Sequence, residues 1–305
     1  MCGEIVALGS SATRTWTKGQ RVLSIFNQSH QKGQIKEQDF STGLGLPLAG
    51  VLAQYRIFPV GGLVTVPDYL NDEEAACLPI AAVTAWMSIN WMQPIGSHLT
   101  GSDVTVLFQG TGGVSISGLQ IAKACGLQSM FYSANLSKQC THCCSAIITS
   151  SSDEKLAKAR YMGADHIINY KTHPKWSEEV MKITNSRGAD IILETGGAKT
   201  LKQSFECIAF GGLISCIGYL SGKEDEKEDR TNVNVLALKR NVTLKGILNG
   251  PKDRFEEMLK LYAEKKIHPV VDKIYPLDQA RDALQYLYSG SHFGKVVIKV
   301  ASASA

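Results

Sequence analysis

Residues Asp103 to Gly126 read DVTVLFQGTGGVSISGLQIAKACG. Val104, Val106 and Phe108, with Leu107 between them, form a short apolar run of the kind a buried parallel strand needs. The run stops at Gly110-Thr111-Gly112-Gly113. Val114, Ile116, Leu119, Ile121 and Ala122 then recur at helical spacing and end near Gly126, a suitable C-cap. Strand, glycine turn and helix predict the first unit of a dinucleotide-binding fold. Gly110 permits the tight turn. Gly112 lets backbone N–H groups approach a pyrophosphate, and the helix N-terminus supplies partial positive charge. The motif departs from G-x-G-x-x-G at its third position, where Ser115 is still small enough for close helix–strand packing.

Downstream the pattern alternates. Strands are predicted at Ala146 to Thr149, His166 to Asn169, Asp190 to Glu194, Leu213 to Gly218 and Val242 to Gly246. Helices fall between several of them, at Asp153 to Met162, Lys175 to Thr184 and Lys199 to Ile208. Six strands with intervening helices describe an α/β fold with a doubly wound parallel sheet. The mixed-charge run Lys223 to Arg230 reads as a solvated loop. Beyond it lie amphipathic helices at Lys252 to Lys266 and Asp278 to Tyr288, then a last strand at Gly294 to Val300.

Upstream, residues 1–66 read as β-rich. Strands are predicted at Glu4 to Gly9, after the turn at Lys18-Gly19, along Leu46 to Phe58, and at Leu63 to Val66. Asn27 to Gly43 is polar and reads as loop. Asn71-Asp72-Glu73-Glu74 caps a helix with acids in its first turn. Pro79 interrupts the next apolar run, and a second helix follows from Ala81 to about Trp91.

Composition bounds the alternatives. A chain of 305 residues can hold two domains with proper cores, and a net charge of +4 from scattered basic residues points to neither nucleic acid nor a membrane surface. No apolar run approaches the roughly 18 residues of a spanning helix, and the first residues do not form a signal peptide. A cytoplasmic location and reduced thiols are expected, with Cys77, Cys125, Cys207 and Cys216 as buried structural residues.

One segment does not fit. The second strand should end about 20 residues after the glycine turn, yet Thr149 lies about 40 residues beyond Gly110. An inserted segment near 129–145 accounts for the excess. Cys140, His142, Cys143 and Cys144 within it suggest zinc, but that spacing crowds four ligands together with no second half. A retained intron is the sharper reading: removing about 16 residues would restore the normal spacing.

The loop after the second strand, Thr149-Ser150-Ser151-Ser152-Asp153-Glu154-Lys155, indicates the cofactor. An NAD enzyme carries an acid at the strand end for the ribose 2′-OH; here hydroxyls stand there. Ser151, Ser152 and Lys155 suit a 2′-phosphate. Asp153 reads as the N-terminal cap of the next helix. NADPH is favoured, with NADH the alternative.

At this point GTGGVSISGLQIAKACG, SSSDEKLAKARYMGADHIINY and the C-terminal ILNG…GSHFGKVVIKV resemble the medium-chain dehydrogenase/reductase superfamily. Within it, the quinone-oxidoreductase-like and zinc-type alcohol-dehydrogenase-like members are most similar. The resemblance implies a GroES-like β domain built from both chain ends, at 1–90 and 251–305, around a Rossmann domain at 91–250. It also implies that some tens of residues normally precede Glu4, so an N-terminal truncation is expected. With them go the first catalytic cysteine and its following Gly-His-Glu; the four-cysteine lobe is absent too. No metal is expected, and His30 and His98 read as surface residues.

By the same resemblance, Gly110, Thr111, Gly112, Gly113 and Val114 hold the pyrophosphate. Ser151, Ser152, Lys155 and Tyr170 hold the 2′-phosphate or adenosine. Gly196, Gly218, Leu248 and Asn249 approach ribose and nicotinamide. Phe293 and Lys295 border the cofactor, and Thr84 lies near the nicotinamide. The expected activity is hydride transfer from NADPH to a quinone, enone or carbonyl substrate without zinc. The partner is a small molecule, and a homodimer is the assembly considered. No catalytic acid stands out; Tyr55 and Tyr219 read as packing or surface residues. A non-catalytic nucleotide-binding protein, or a defective product of a truncated gene, is one alternative. A zinc-dependent alcohol dehydrogenase is another.

Overall fold

A computed structural model describes residues 1–100, 104–126, 145–224 and 232–300. The chain divides into two compact units, one of Met1–Met87 with Leu248–Ala305, the other of Ser88–Ile247.

The first unit opens with an antiparallel sheet. β1 (Cys2–Glu4) pairs with β2 (Arg21–Ser24), and β2 with β3 (Leu63–Thr65). Ile5, Trp16, Val22 and Leu63 form its core. The predicted strand at Glu4 to Gly9 is displaced: the ladder covers Cys2–Glu4, and Val6 is exposed. The predicted strand along Leu46 to Phe58 does not form. Its start makes local bonds instead, Gly45 N–H to Leu48 O at 2.9 Å and Leu48 N–H to Gly43 O at 3.1 Å. Ile57 is 96% exposed. Apolar content alone made that stretch look like a strand; with no ladder to join, it stays irregular.

The polar loop Asn27 to Gly43 carries the short helix α1 (Glu37–Phe40). α2 (Asp72–Ala76) starts at the expected cap: Asn71 Oδ1 accepts from Glu74 N at 2.8 Å, and Glu74 returns the bond to Asn71 N. The segment with Pro79, Leu78–Ala82, is a π turn leading into α3 (Val83–Asn90).

The second unit is a six-stranded parallel sheet. Its strands are β4 (Val106–Phe108), β5 (Ala146–Ser150), β6 (His166–Asn169), β7 (Ala189–Glu194), β8 (Ile208–Cys216) and β9 (Thr243–Gly246). Their order is β6-β5-β4-β7-β8-β9, reversing direction at β4. This is the 3-2-1-4-5-6 order of the doubly wound dinucleotide fold. Helices α4 (Gly113–Ala124), α5 (Asp153–Tyr161), α6 (Trp176–Ile183), α7 (Leu201–Cys207) and α8 (Val233–Arg240) connect the strands. Leu107, Ile147, Ile192 and Ile214 in the central strands are fully buried, which explains their continuous apolar spelling. α4 ends as expected, with Gly126 at φ +73°. Most of the segment near 129–145, including Cys140, His142, Cys143 and Cys144, lies outside the described residues. Ser145 is described: it is buried, and its carbonyl accepts from Val106 N–H at 2.9 Å.

The chain returns to the first unit with α9 (Lys252–Lys265), β10 (Val271–Pro276), α10 (Ala280–Tyr288) and β11 (Lys295–Lys299). β10 and β11 pair in parallel. No helix among the described residues is long and apolar enough to cross a membrane.

Cys77, Cys125 and Cys207 are buried and Cys216 is partly buried; all are free thiols. Burial pushes the Cys77 and Cys216 thiols up to about 11, and burial beside Glu194 raises Cys207 too. The thiolate is the nucleophile, so slow reaction is expected of these groups in the native state. Iodoacetamide labelling at mildly alkaline pH, mapped by mass spectrometry, should leave the Cys77 and Cys207 peptides unmodified until denaturant is added. Rapid native labelling at either would contradict their burial.

Candidate dinucleotide-binding site

The turn after β4 is shaped by its glycines. Gly110 sits at φ +77°, in the left-handed region that a side chain disfavours. Its N–H donates to Thr149 Oγ1 at 3.2 Å, tying the turn to β5. Gly112 is the N-cap of α4 and offers no side-chain acceptor. The starts of α5 and α8 differ: Ser152 accepts from Lys155 N on α5, and Asn232 from Val235 N on α8, whereas α6, α7, α9 and α10 share with α4 the lack of a side-chain cap. A helix start without a side-chain cap leaves N–H groups for an outside anion, which the helix dipole also favours. Gly113 and Val114 are the first residues of this helix.

The small third position does two jobs, split between two residues. Ser115 is buried, and its hydroxyl donates to Gln109 O at 2.7 Å. Gly118, one turn on, makes the close approach to the sheet. A Cβ there would stand 2.7 Å from Phe108 Cε1 and 3.2 Å from Leu193 Cδ2.

The next two strand ends lie alongside. β5 runs to Ser150, which pairs with Asn169 of β6, and Tyr170 N–H donates to Ser150 O at 3.1 Å. The N-cap of α5 is Ser152, not Asp153. Asp153 instead accepts from Asn169 Nδ2 at 2.7 Å. The cap therefore engages one lone pair of Ser152, while its O–H remains a donor. Ser151, Lys155 and Tyr170 share this corner, and Tyr170 is exposed.

The turns after β7 and β8 meet each other. Ser221 N–H donates to Gly196 O at 2.7 Å, and a Cβ on Gly218 would lie 3.0 Å from Thr195 O. Beneath them is a cluster that sequence reasoning did not single out. Glu194, 1% exposed, ends β7, and Gln109 directly follows β4. Gln109 Nε2 donates to Glu194 Oε2 at 2.7 Å, and Gln109 Oε1 accepts from Thr195 N at 3.1 Å. The available signal was a polar residue closing each apolar strand, flush against a glycine turn.

Of the remaining singled-out residues, all but His98 and Tyr219 belong to the first unit. Thr84 is buried on α3. Leu248 is exposed, and Asn249, at φ +62°, donates from Nδ2 to Pro79 O at 2.9 Å. Gly250 lies against Val83 and Met87 of α3. Phe293 is buried, and Lys295 N–H donates to Val270 O at 3.0 Å. His30 is not a surface residue: it is 4% exposed, with Nε2 donating to Gly33 O at 2.9 Å. Its backbone carbonyl accepts from Lys252 N, which draws this turn inward. His98 is partly buried. Tyr55 and Tyr219 are exposed, and the Lys223 ammonium lies 4.7 Å from the Tyr219 ring centre.

A six-stranded sheet in this order, with an uncapped glycine-opened helix after its first strand, defines a dinucleotide-binding α/β protein. Comparison with known proteins narrows the class. Residues 162–298 match the family model for a zinc-binding dehydrogenase. A zinc-type alcohol dehydrogenase-like protein of Schizosaccharomyces pombe is 38% identical over 93% of this chain and 76% of its own length. Mouse prostaglandin reductase-3 is 26% identical over 98% of this chain and 71% of its own length. The crystal structure of a protein described as an alcohol dehydrogenase from Sinorhizobium meliloti 1021 superposes with a TM-score of 0.82. It is 35% identical and covers 98% of this chain and 80% of its own. The chain belongs to the medium-chain dehydrogenase/reductase superfamily and is an NAD(P)-dependent oxidoreductase.

The family model's name also raises the question of zinc. Among the described residues no three or more His, Cys, Asp or Glu side chains stand together so as to hold a metal ion.

Proposed function

We propose that this chain is an NADPH-dependent reductase that passes hydride to an enone, quinone or carbonyl compound without zinc. The observation that carries the reading is the start of α4, opened by Gly110-Thr111-Gly112 and left without a side-chain cap. The backbone N–H groups of Gly113 and Val114 are suited to the pyrophosphate. Ser151, the Ser152 hydroxyl and the Lys155 ammonium suit a 2′-phosphate, since no acid ends β5 to claim a 2′-OH. Tyr170 offers a ring beside that corner for the adenosine, and the turns with Gly196 and Gly218 offer backbone to the ribose. When bound, the nicotinamide supplies the hydride, and the protein binds and orients it. The relative named as a prostaglandin reductase supports a reductive direction of hydride transfer.

The test is a fluorescence titration with NADPH, followed by NADPH oxidation assays with methyl vinyl ketone and with 1,4-benzoquinone. Saturable binding with turnover of either compound is the expected result. Binding with turnover of neither would leave a nucleotide-binding protein without this activity. Absence of binding, or about one zinc per chain in purified protein, would overturn the reading.

A further inference from the structure

We propose that Gln109 and Glu194 form a positioning pair that holds the pyrophosphate turn in its binding shape. The inference rests on the NADPH reading above but concerns residues that make no proposed contact with the cofactor. The Glu194 carboxylate has five donors. Oε1 accepts from Gly196 N at 2.9 Å, Gly197 N at 3.0 Å and Thr200 Oγ1 at 2.5 Å. Oε2 accepts from Gln109 Nε2 at 2.7 Å and from Ser204 Oγ. Gln109 is equally engaged. Nε2 also donates to Ser204 Oγ at 2.9 Å, and Oε1 accepts from Thr195 N at 3.1 Å and Gly196 N at 3.3 Å. Its backbone carbonyl accepts from Thr195 Oγ1 at 3.1 Å and from Ser115 Oγ at 2.7 Å.

The geometry is that of a clamp. Gln109 is the residue immediately before Gly110, and Ser115 lies in the first turn of α4. Bonds on both sides of Gln109 thus fix the two ends of the glycine turn, and Glu194 anchors Gln109 to the turn after β7. A buried carboxylate is costly unless its donors are supplied, and an apolar pair could fill the same space. Here all donors are supplied: Gln109 stands at the head of the pyrophosphate turn, Gly196 and Gly197 lie in the turn after β7, and Thr200 and Ser204 belong to the start of α7. Thr200 also requires its neighbour to be glycine: a Cβ on Gly196 would stand 2.2 Å from Thr200 Oγ1.

The test uses exchange of the two side chains in the full chain. Glu194→Gln puts an N–H2 where either Gln109 Nε2 or two backbone N–H groups already donate. NADPH affinity should fall roughly 10- to 100-fold, with kcat at saturating NADPH within about twofold. The double variant Gln109→Glu, Glu194→Gln restores a donor for every acceptor. Its NADPH affinity should return to within about threefold of the wild type, the signature of a coupled pair. Amide hydrogen exchange over residues 109–115 in the ligand-free protein should quicken in Glu194→Gln and slow again in the double variant. Ser204→Ala, which removes one partner only, gives the same readouts in milder form if Glu194→Gln does not fold.

Unchanged exchange at 109–115, or unchanged NADPH affinity despite a lowered Tm, would overturn the proposal and leave the pair as merely structural. A double variant no better than Glu194→Gln would also overturn it. A wild type that does not bind NADPH would refute the functional reading, while the exchange data would still decide whether the clamp exists.

Discussion

Phe108→Ala is expected to cost about 3–5 kcal/mol of stability, and to reverse the effect of a second substitution at Gly118. Phe108 is fully buried at the end of β4, and its ring edge occupies the space a side chain at Gly118 would need. In the native chain, Gly118→Ala gains about 1 kcal/mol of helix propensity. Against that, it forces a Cβ to 2.7 Å from Phe108 Cε1, with Leu193 close on the other side. Overpacking of this kind costs about 1–3 kcal/mol, so the single variant should be destabilised. With the ring removed, the new methyl enters the vacated space and the propensity gain remains. Gly118→Ala should then stabilise the Phe108→Ala chain. Thermal unfolding of the four chains measures this; Tm shifts about 2–4 °C per kcal/mol in chains of 150–250 residues. Effects that add within about 0.5 kcal/mol would show that ring and glycine do not compete.

Lys155→Met should weaken NADPH binding about 10- to 100-fold, the range of a lost charge-assisted contact, and leave NADH binding within about twofold. Methionine keeps most of the side chain's apolar length, so packing along α5 is little altered. The backbone N–H of Lys155, which donates to Ser152 Oγ, is untouched. The remaining dependence of NADPH affinity on salt should also be shallower, since one cation is gone. Paired titrations with both cofactors at two ionic strengths give the answer. Equal losses for both would place Lys155 in general packing rather than beside the 2′-phosphate.

Much of the second unit was legible because its strands are short and buried on both faces. Runs such as Ala-Ile-Ile-Thr at 146 and Ile-Ile-Leu at 191 are too short for a helix and too apolar for a surface loop. Gly126 and Gly163 mark helix ends by their left-handed backbone. Periodicity failed where burial did not follow apolarity. Leu46 to Phe58 has strand-like content but joins none of the sheets among the described residues. β10 (Val-Asp-Lys-Ile-Tyr-Pro) went unpredicted because three of its six residues are exposed and its spelling is mixed. The polar loop around His30 hid a buried turn, since burial there comes from backbone bonds to Lys252 and Asp253 that no local pattern reports.

The site divides the same way. Gly110, Gly112 and the serine loop announce themselves because backbone conformation and charge demand particular residue types at fixed spacing. Gln109, Glu194, Thr200 and Ser204 do not. Each is an ordinary polar residue, and Gln109 is 95 positions away from Ser204. Only the parallel pairing of β4 with β7 brings their strand ends together. Asp153 shows the converse: it stands beside a helix start and looks like its cap, but the preceding serine takes that place.

The open start of α4 has a practical side. A helix end that offers amides to one phosphorus oxyanion offers them to others, so on the proposed reading phosphate and sulfate in the buffer are expected to compete with the coenzyme for the same place. Affinities taken in phosphate buffer are then expected to understate the true ones, by an amount that grows with the salt's concentration. A zwitterionic buffer with chloride as the anion is the medium in which this protein's coenzyme preference should be compared.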